Sequence, residues 1–240
     1  MDPTEDKVNL SPNIPTESSH PIRLGEAMIN RPHICGFFNS HDDEFRAVIP
    51  FILEGLKKGE KAFHTVDPER RNEHLQRLEK AGIDVTATLR SGQLEVHDWN
   101  EMHLRDGLFD ESRTLAGWEQ IGKQAKKDGF PLIRFVTHME WALEDRPSGG
   151  HLLEYEARAN YLWLRFEGPF NPVICAYDLT KFSGDVVVDV MRTHPLTIIG
   201  GIIQENPFFV PPDEFLRELR ERRGLGQAAS SFKGRKPSQR

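Results

Sequence analysis

The chain has 240 residues, 38% of them hydrophobic and 28% charged, enough apolar material for one large α/β domain with polar tails. A formal net charge of -6 excludes the broad basic face needed for nonspecific binding to nucleic acid or an anionic membrane. The N-terminal MDPTEDKVNLSPNIP has no basic stretch leading into an apolar one, and no apolar run approaches a bilayer span, so the expectation is a cytoplasmic chain.

In chain order, residues 1–22 are polar and carry four prolines, which reads as a flexible leader. Ile22 to Asn30 reads as a short helix or cover. Pro32 then sets an extended entry into HICGFF, the first strand. A phosphate-binding loop would continue GxxxxGK(S/T). This chain continues NSHDDEF, with no glycine turn, no lysine, and an acidic pair that repels phosphate. Phe45, Val48, Ile49, Ile52, Leu53 and Leu56 recur at helical spacing, with Pro50 as a kink point and Gly59 as the stop. KAFHTV is the second strand. It ends at Asp67-Pro68, a natural helix start, and the charged helix that follows stops at Gly82.

A small turn around Thr86 to Arg90 leads to a strand near Leu94 to Asp98. Asp110 or Ser112 opens a long helix to Asp128, and LIRFVTH is the next strand. Residues 151–167 place Leu152, Tyr155, Ala159, Leu162 and Phe166 on one helical face. NPVICAYD, a helix from about Gly184 to Thr193, and LTIIGGII as one strand complete the core. Residues 213–240 read as a charged helix and a basic mobile tail. The predicted architecture is three layers, helices on both faces of a mostly parallel sheet, over residues 23–212. Any ligand is expected at the carboxyl edge of the sheet.

HICGFF, PFILEGLKKGEKAF, AGIDVTATLRSGQLEVHD, MEWAL, LLEYEARAN and the closing ICAYD, KFSGD, MRTHPL and IIGGIIQENPFFVPP together resemble the MEDS domain family over about His33 to Pro212. The resemblance implies a prokaryotic, bacterial or archaeal, sensory module with a RecA- or KaiC-like core that lacks the phosphate-binding loop. It implies small-molecule sensing or signal relay in transcriptional or kinase-linked regulation. The family usually carries an acidic residue where this chain has His138. Neither end reads as a helix-turn-helix or kinase domain, so the output is expected to pass to a regulatory protein partner or through a homo-oligomer, with no direct nucleic-acid or membrane contact. The alternatives are a divergent nucleotide-binding enzyme and a pure interaction module.

The expected ligand-binding residues are His33, Cys35, Phe37, Asn39, Glu140, Trp141, Tyr177 and Asp178. His33 and Cys35 alternate to one face of a strand, where they suit a soft metal or an electrophile, or simply the core. Phe37, Trp141 and Tyr177 are pocket walls or core. Glu140 and Asp178 follow different strands and could converge as acid and base, but no nucleophile motif accompanies them and no catalytic residue is assigned. Ten histidines without HxxxH or HExxH spacing leave a zinc site unsupported, and no cofactor is identified. Cys35 and Cys175 read as buried reduced thiols, a disulfide requiring that their strands be neighbours. His194 reads as a helix-terminal residue favoured by the dipole. Of Glu154 and Glu156 only one can face inward, with Arg158 as its partner.

Overall fold

The strands His33–Phe38, Lys61–Val66 and Ile133–His138 bury every residue. A strand buried on both sides needs helices above and below it. The computed structural model, which describes residues 22–24, 27–144, 151–163 and 171–233, supplies them.

A small antiparallel hairpin, β1 (Ile22–Leu24) and β2 (Ala27–Ile29), precedes the main sheet. It stands where a short helix or cover was expected. The main sheet contains β3 (His33–Phe38), β4 (Lys61–Val66), β5 (Leu94–Asp98), β6 (Ile133–His138), β7 (Val173–Asp178), β8 (Leu196–Ile199) and β9 (Ile202–Glu205) in the order β5-β4-β6-β7-β3-β8-β9. All pairings are parallel except the last, β8 with β9. The expected single strand LTIIGGII is therefore two. Gly200 and Gly201 both adopt positive φ, 59° and 78°, the conformation that a two-residue hairpin turn demands and that side chains resist.

The helices divide between the faces. On the first, α1 (His41–Lys57), α2 (Arg71–Lys80) and α3 (Val85–Ser91) cover Ile34, Ala62, Val136 and Ile174. On the second, α4 (Trp99–Met102), α5 (Glu111–Lys127), α6 (Trp141–Glu144), α7 (His151–Trp163) and α8 (Gly184–Met191) cover Cys35, Phe63, Phe135 and Cys175. The three-layer, mostly parallel expectation is what the chain forms. Local caps set the helix starts, since Ser40, Asp84 and Asp110 each accept the backbone N–H three residues on. The last helix, α9 (Pro212–Lys233), is the charged helix expected within residues 213–240 and runs on into the stretch expected to be a mobile tail. It packs Phe215, Leu216 and Leu219 against Ala157 of α7. The predicted leader lies outside the described residues except for Ile22, as do residues 234–240 of the predicted tail and residues 164–167 of the helix predicted over 151–167.

A buried ion pair helps fasten the first face. Arg134 of β6 is fully buried and bonds to Glu60 Oε2 at 2.5 Å and to the Phe51 carbonyl at 2.9 Å. Gly55 makes room for it, because a Cβ there would sit 2.6 Å from the Arg134 side chain.

Candidate functional site

The chain leaves β3 through α1 toward β4 and leaves β7 through α8 toward β8, on opposite sides, so the neighbours β3 and β7 form the switch point at which open α/β sheets place ligands. A pocket lies there at the carboxyl edge. Phe38, Ala176 and Tyr177 give it apolar walls, while Glu44, Glu140 and Asp178 give it acidic ones. Its enclosed volume is only about 10 Å³, room for roughly one water and far below the ~300–1,000 Å³ usual for drug-sized ligands. Only a very small molecule fits without movement of the lining side chains.

Glu140 and Asp178 thus meet at one pocket. Asp178 Oδ1 is already engaged by the Thr180 N–H at 2.9 Å and the Thr180 hydroxyl at 2.6 Å. Glu140 differs: its Oε2 is buried and has no hydrogen-bond partner. Burial raises the pKa of its carboxyl, against the pull of His138. Glu44 is held at both oxygens, by His138 Nε2 at 2.8 Å and Arg70 at 3.3 Å. Burial would raise its pKa, but His138 and Arg70 outweigh that and bring it to about 2. The same carboxylate raises the pKa of His138 against its burial. Behind this pair, His64 Nδ1 and His74 Nε2 lie 2.9 Å apart. Burial holds His64 down to about 3 and His74 well below its ordinary value.

A second group of polar side chains lies on the opposite face of the sheet, under α7. Register places Cys35 beside Cys175 on the adjacent strands β3 and β7, both as free thiols. His33 Nε2 lies 3.0 Å from Glu156 Oε2 and 3.4 Å from Cys175 Sγ. His194 Nε2 lies 3.3 Å from the same Glu156 oxygen. All four side chains are buried. Helix α7 supplies Glu156 and, one turn on, Asn160, whose Oδ1 faces His33 Nδ1 at 3.2 Å. The other oxygen of Glu156 accepts from the Tyr177 hydroxyl at 2.5 Å.

The charges in this group are mutually adjusted. Burial opposes ionisation of Glu156, yet His194 and His33 hold its pKa far below the usual range. Burial and then His194 lower His33 to about 4. For His194 itself burial opposes charge, while Cys35 and Glu156 overcome it and raise the pKa well above 6.5. Burial and Glu156 push the Cys175 thiol up to about 12. One imidazolium thus balances one carboxylate among side chains buried from solvent.

The expected ligand residues therefore divide. His33 belongs to the buried group, and Cys35 sits beside it with Sγ turned toward the Leu196 carbonyl at 3.7 Å. Glu140 and Asp178 belong to the pocket, and Tyr177 touches both places. The Phe37 ring packs 5.7 Å from that of Tyr177. Asn39 is exposed and is not among the pocket residues. Trp141 is a correction: it is fully buried, stacked on His103 and Phe109 with centroids 4.6 Å from each, and forms core rather than pocket wall. A second correction concerns α7. The inward carboxylate is Glu156, held by histidines, while Arg158 pairs outward with Glu111 at 3.1 Å. His194 does bond to the last turn of α8, Nδ1 to the Val190 carbonyl at 2.9 Å, but it is wholly buried and faces Glu156.

Sequence reasoning assigned no ligand role to Glu156, Cys175, His194, Glu44, His64 or His74. The one available signal was polar residues on otherwise buried runs. The histidine-spacing argument tests only sites built on a single helix, whereas this group draws on β3, α7, β7 and the turn before β8.

Residues 32–195 match the family described as MEDS, MEthanogen/methylotroph, DcmR Sensory domain. A curated relative is the transcriptional repressor DcmR of Methylorubrum extorquens, 28% identical over 167 residues, 68% of this chain and 57% of the relative. The chain thus spans a little over half the length of that repressor. Among solved structures, the flagellar accessory protein FlaH from Methanocaldococcus jannaschii aligns at 12% identity and a TM-score of 0.44, covering 72% of this chain and 76% of that one. The RadB recombinase aligns at 15% identity and a TM-score of 0.40, covering 70% and 74%. Among the described residues no helix is long and apolar enough to cross a membrane. With its family match running through most of the chain, from the entry to β3 to the residue after His194, this protein belongs to the MEDS family of sensory domains.

Proposed function

We infer that the chain is the sensing unit of a cytosolic regulatory system and that it detects a small molecule at the carboxyl-edge pocket between β3 and β7. The observation that carries this reading is Glu140, a buried carboxyl with one unpartnered oxygen at the switch point of a sensory-domain fold. A buried acceptor without a partner costs about 1–3 kcal/mol, which a ligand donor offsets on binding. The complementary molecule is small, has an apolar body facing Phe38 and Ala176, and carries a hydroxyl or ammonium donor. Phosphate is disfavoured by Glu44, Glu140 and Asp178 around the opening.

Binding is relayed through Tyr177, which borders the pocket at the strand end while its hydroxyl holds Glu156 on the second face. The output goes to a regulatory protein or a second copy of the chain. The related repressor is consistent with a role in transcription. The test is a thermal-shift panel of small alcohols and amines, run on the wild type and on Glu140→Gln. A ligand that raises the melting temperature of the first by several degrees more than the second supports the reading. Ordinary magnesium-ATP affinity with turnover, or no stabilising ligand in the panel, overturns it.

A further inference from the structure

We propose that His33, Glu156, Cys175 and His194 form a four-coordinate site for one divalent transition-metal ion of the zinc class. This goes beyond ligand sensing at the pocket and stands on separate observations. The four donor atoms lie within 4.8 Å of one another. The separations given above, 3.0, 3.3 and 3.4 Å, with 3.9 Å from Cys175 Sγ to Glu156 Oε2, bracket the edges of about 3.3–3.6 Å of a tetrahedron whose bonds are about 2.0–2.3 Å.

The atoms behind the donors are already engaged. His33 Nδ1 is directed at Asn160 Oδ1 and His194 Nδ1 at the Val190 carbonyl, which turns each Nε2 lone pair inward. Asn160 is itself fixed, since its Nδ2 donates to the Thr193 carbonyl at 2.8 Å. Glu156 Oε1 is taken by Tyr177 and leaves Oε2 to the centre. Outer partners of this kind orient metal ligands in known sites. His194 Nε2 is fully buried and makes no hydrogen bond. Its approach to Glu156 is close enough for an ion pair but off line for a bond, and so leaves a polar atom aimed at the centre.

The donor set selects the ion. Two imidazoles, a thiolate and a carboxylate suit zinc, cobalt or a neighbouring metal, whereas calcium and magnesium prefer all-oxygen cages. The charges balance as well. Without the ion, carboxylate and imidazolium sum to zero; with it, carboxylate and thiolate match its two positive charges. The thiol proton of Cys175 and the imidazolium proton of His194 leave to solvent, and no electron is transferred.

The experiment uses the full chain, reduced, stripped of metal with a chelator, and titrated with Co²⁺ alone. Because the donors are buried, it is repeated by refolding from denaturant in the presence of Co²⁺. The expected result is one ion per chain, with the intense visible bands of tetrahedral cobalt and a thiolate-to-cobalt charge-transfer band, both abolished by added Zn²⁺. Cys175→Ser loses the charge-transfer band, Cys35→Ser keeps it, and Asn160→Ala keeps it with affinity weakened about 10–100-fold. Failure of the wild type to bind one ion by either route, a pale spectrum lacking the thiolate band, or survival of that band in Cys175→Ser overturns the proposal. The wild-type titration decides it even if a variant does not fold. Its readout is independent of the pocket, so a failed ligand panel leaves it standing and the reverse also holds.

Discussion

Tyr177 donates its hydroxyl to Glu156 Oε1 at 2.5 Å, and this bond joins the carboxyl-edge pocket to the buried histidine-cysteine group on the second face. The ring keeps its place in Tyr177→Phe, but a buried carboxylate loses a donor. The expected cost is about 1–3 kcal/mol, measured by denaturant unfolding at neutral pH. A cost within error of zero would show that the hydroxyl contributes nothing to holding Glu156.

Gly55→Ala, ordinarily a gain of about 0.5–1 kcal/mol in a helix interior, is expected to destabilise here. The new methyl would stand 2.6 Å from the Arg134 side chain and push it off Glu60. Overpacking of this kind costs about 1–3 kcal/mol. Urea unfolding of Gly55→Ala beside Gly117→Ala, where a Cβ meets nothing within 4 Å, separates the two effects. Equal shifts for both variants would refute the steric account.

His103 is fully buried among Trp118, Trp141 and Tyr155, and neither ring nitrogen has a hydrogen-bond partner. Burial lowers its pKa to about 3, with Glu156 pulling weakly the other way. The folded state therefore holds it neutral while the unfolded chain protonates it below about 6.5. Its contribution to stability is intact above about pH 6.5 and is lost as the pH falls toward 3, at up to about 1.4 kcal/mol per unit. His103→Phe is expected to flatten the acid limb of the stability curve by about one proton. An unchanged slope between pH 6 and 4 would contradict this.

Glu44 has a depressed pKa, about 2, so the stability it lends is complete above its ordinary value of 4.5 and disappears as the pH falls from there toward 2. Glu44→Ala leaves Arg70 and His138 facing each other in the interior without their carboxylate. The expected loss at pH 7 is about 3–5 kcal/mol, shrinking in acid as the wild type loses the same interaction. Melting temperatures at pH 7 and pH 3 read both parts of this prediction.

The parallel sheet and its helices were largely legible in the sequence. Asp67 and Asp110 announce helix starts, and HICGFF, KAFHTV and ICAYD are apolar runs too short for helices. LTIIGGII misleads because an apolar run carries no record of direction, and only the left-handed backbone at Gly200 and Gly201 reverses it. The pocket followed from a general property of open sheets. The buried group did not, because His33, Glu156, Cys175 and His194 sit on four elements and their closeness depends on how β3, β7 and α7 pack. Trp141 was misplaced for a related reason. Adjacency to a strand end says nothing about which way a ring turns, and His103 and Phe109 draw it inward.

His33 and His194 lie one position inside the two limits of the family match, 32 and 195, with ring centroids 3.9 Å apart. The domain's beginning is thus clasped directly to its end. During synthesis the first strand must wait for Glu156, Asn160 and Cys175 before its histidine finds partners, and contacts this distant in sequence are slow to form. Completion of this polar interior is consequently a late event of folding, and a nascent chain halted before residue 194 leaves Glu156 with one of its two histidines missing.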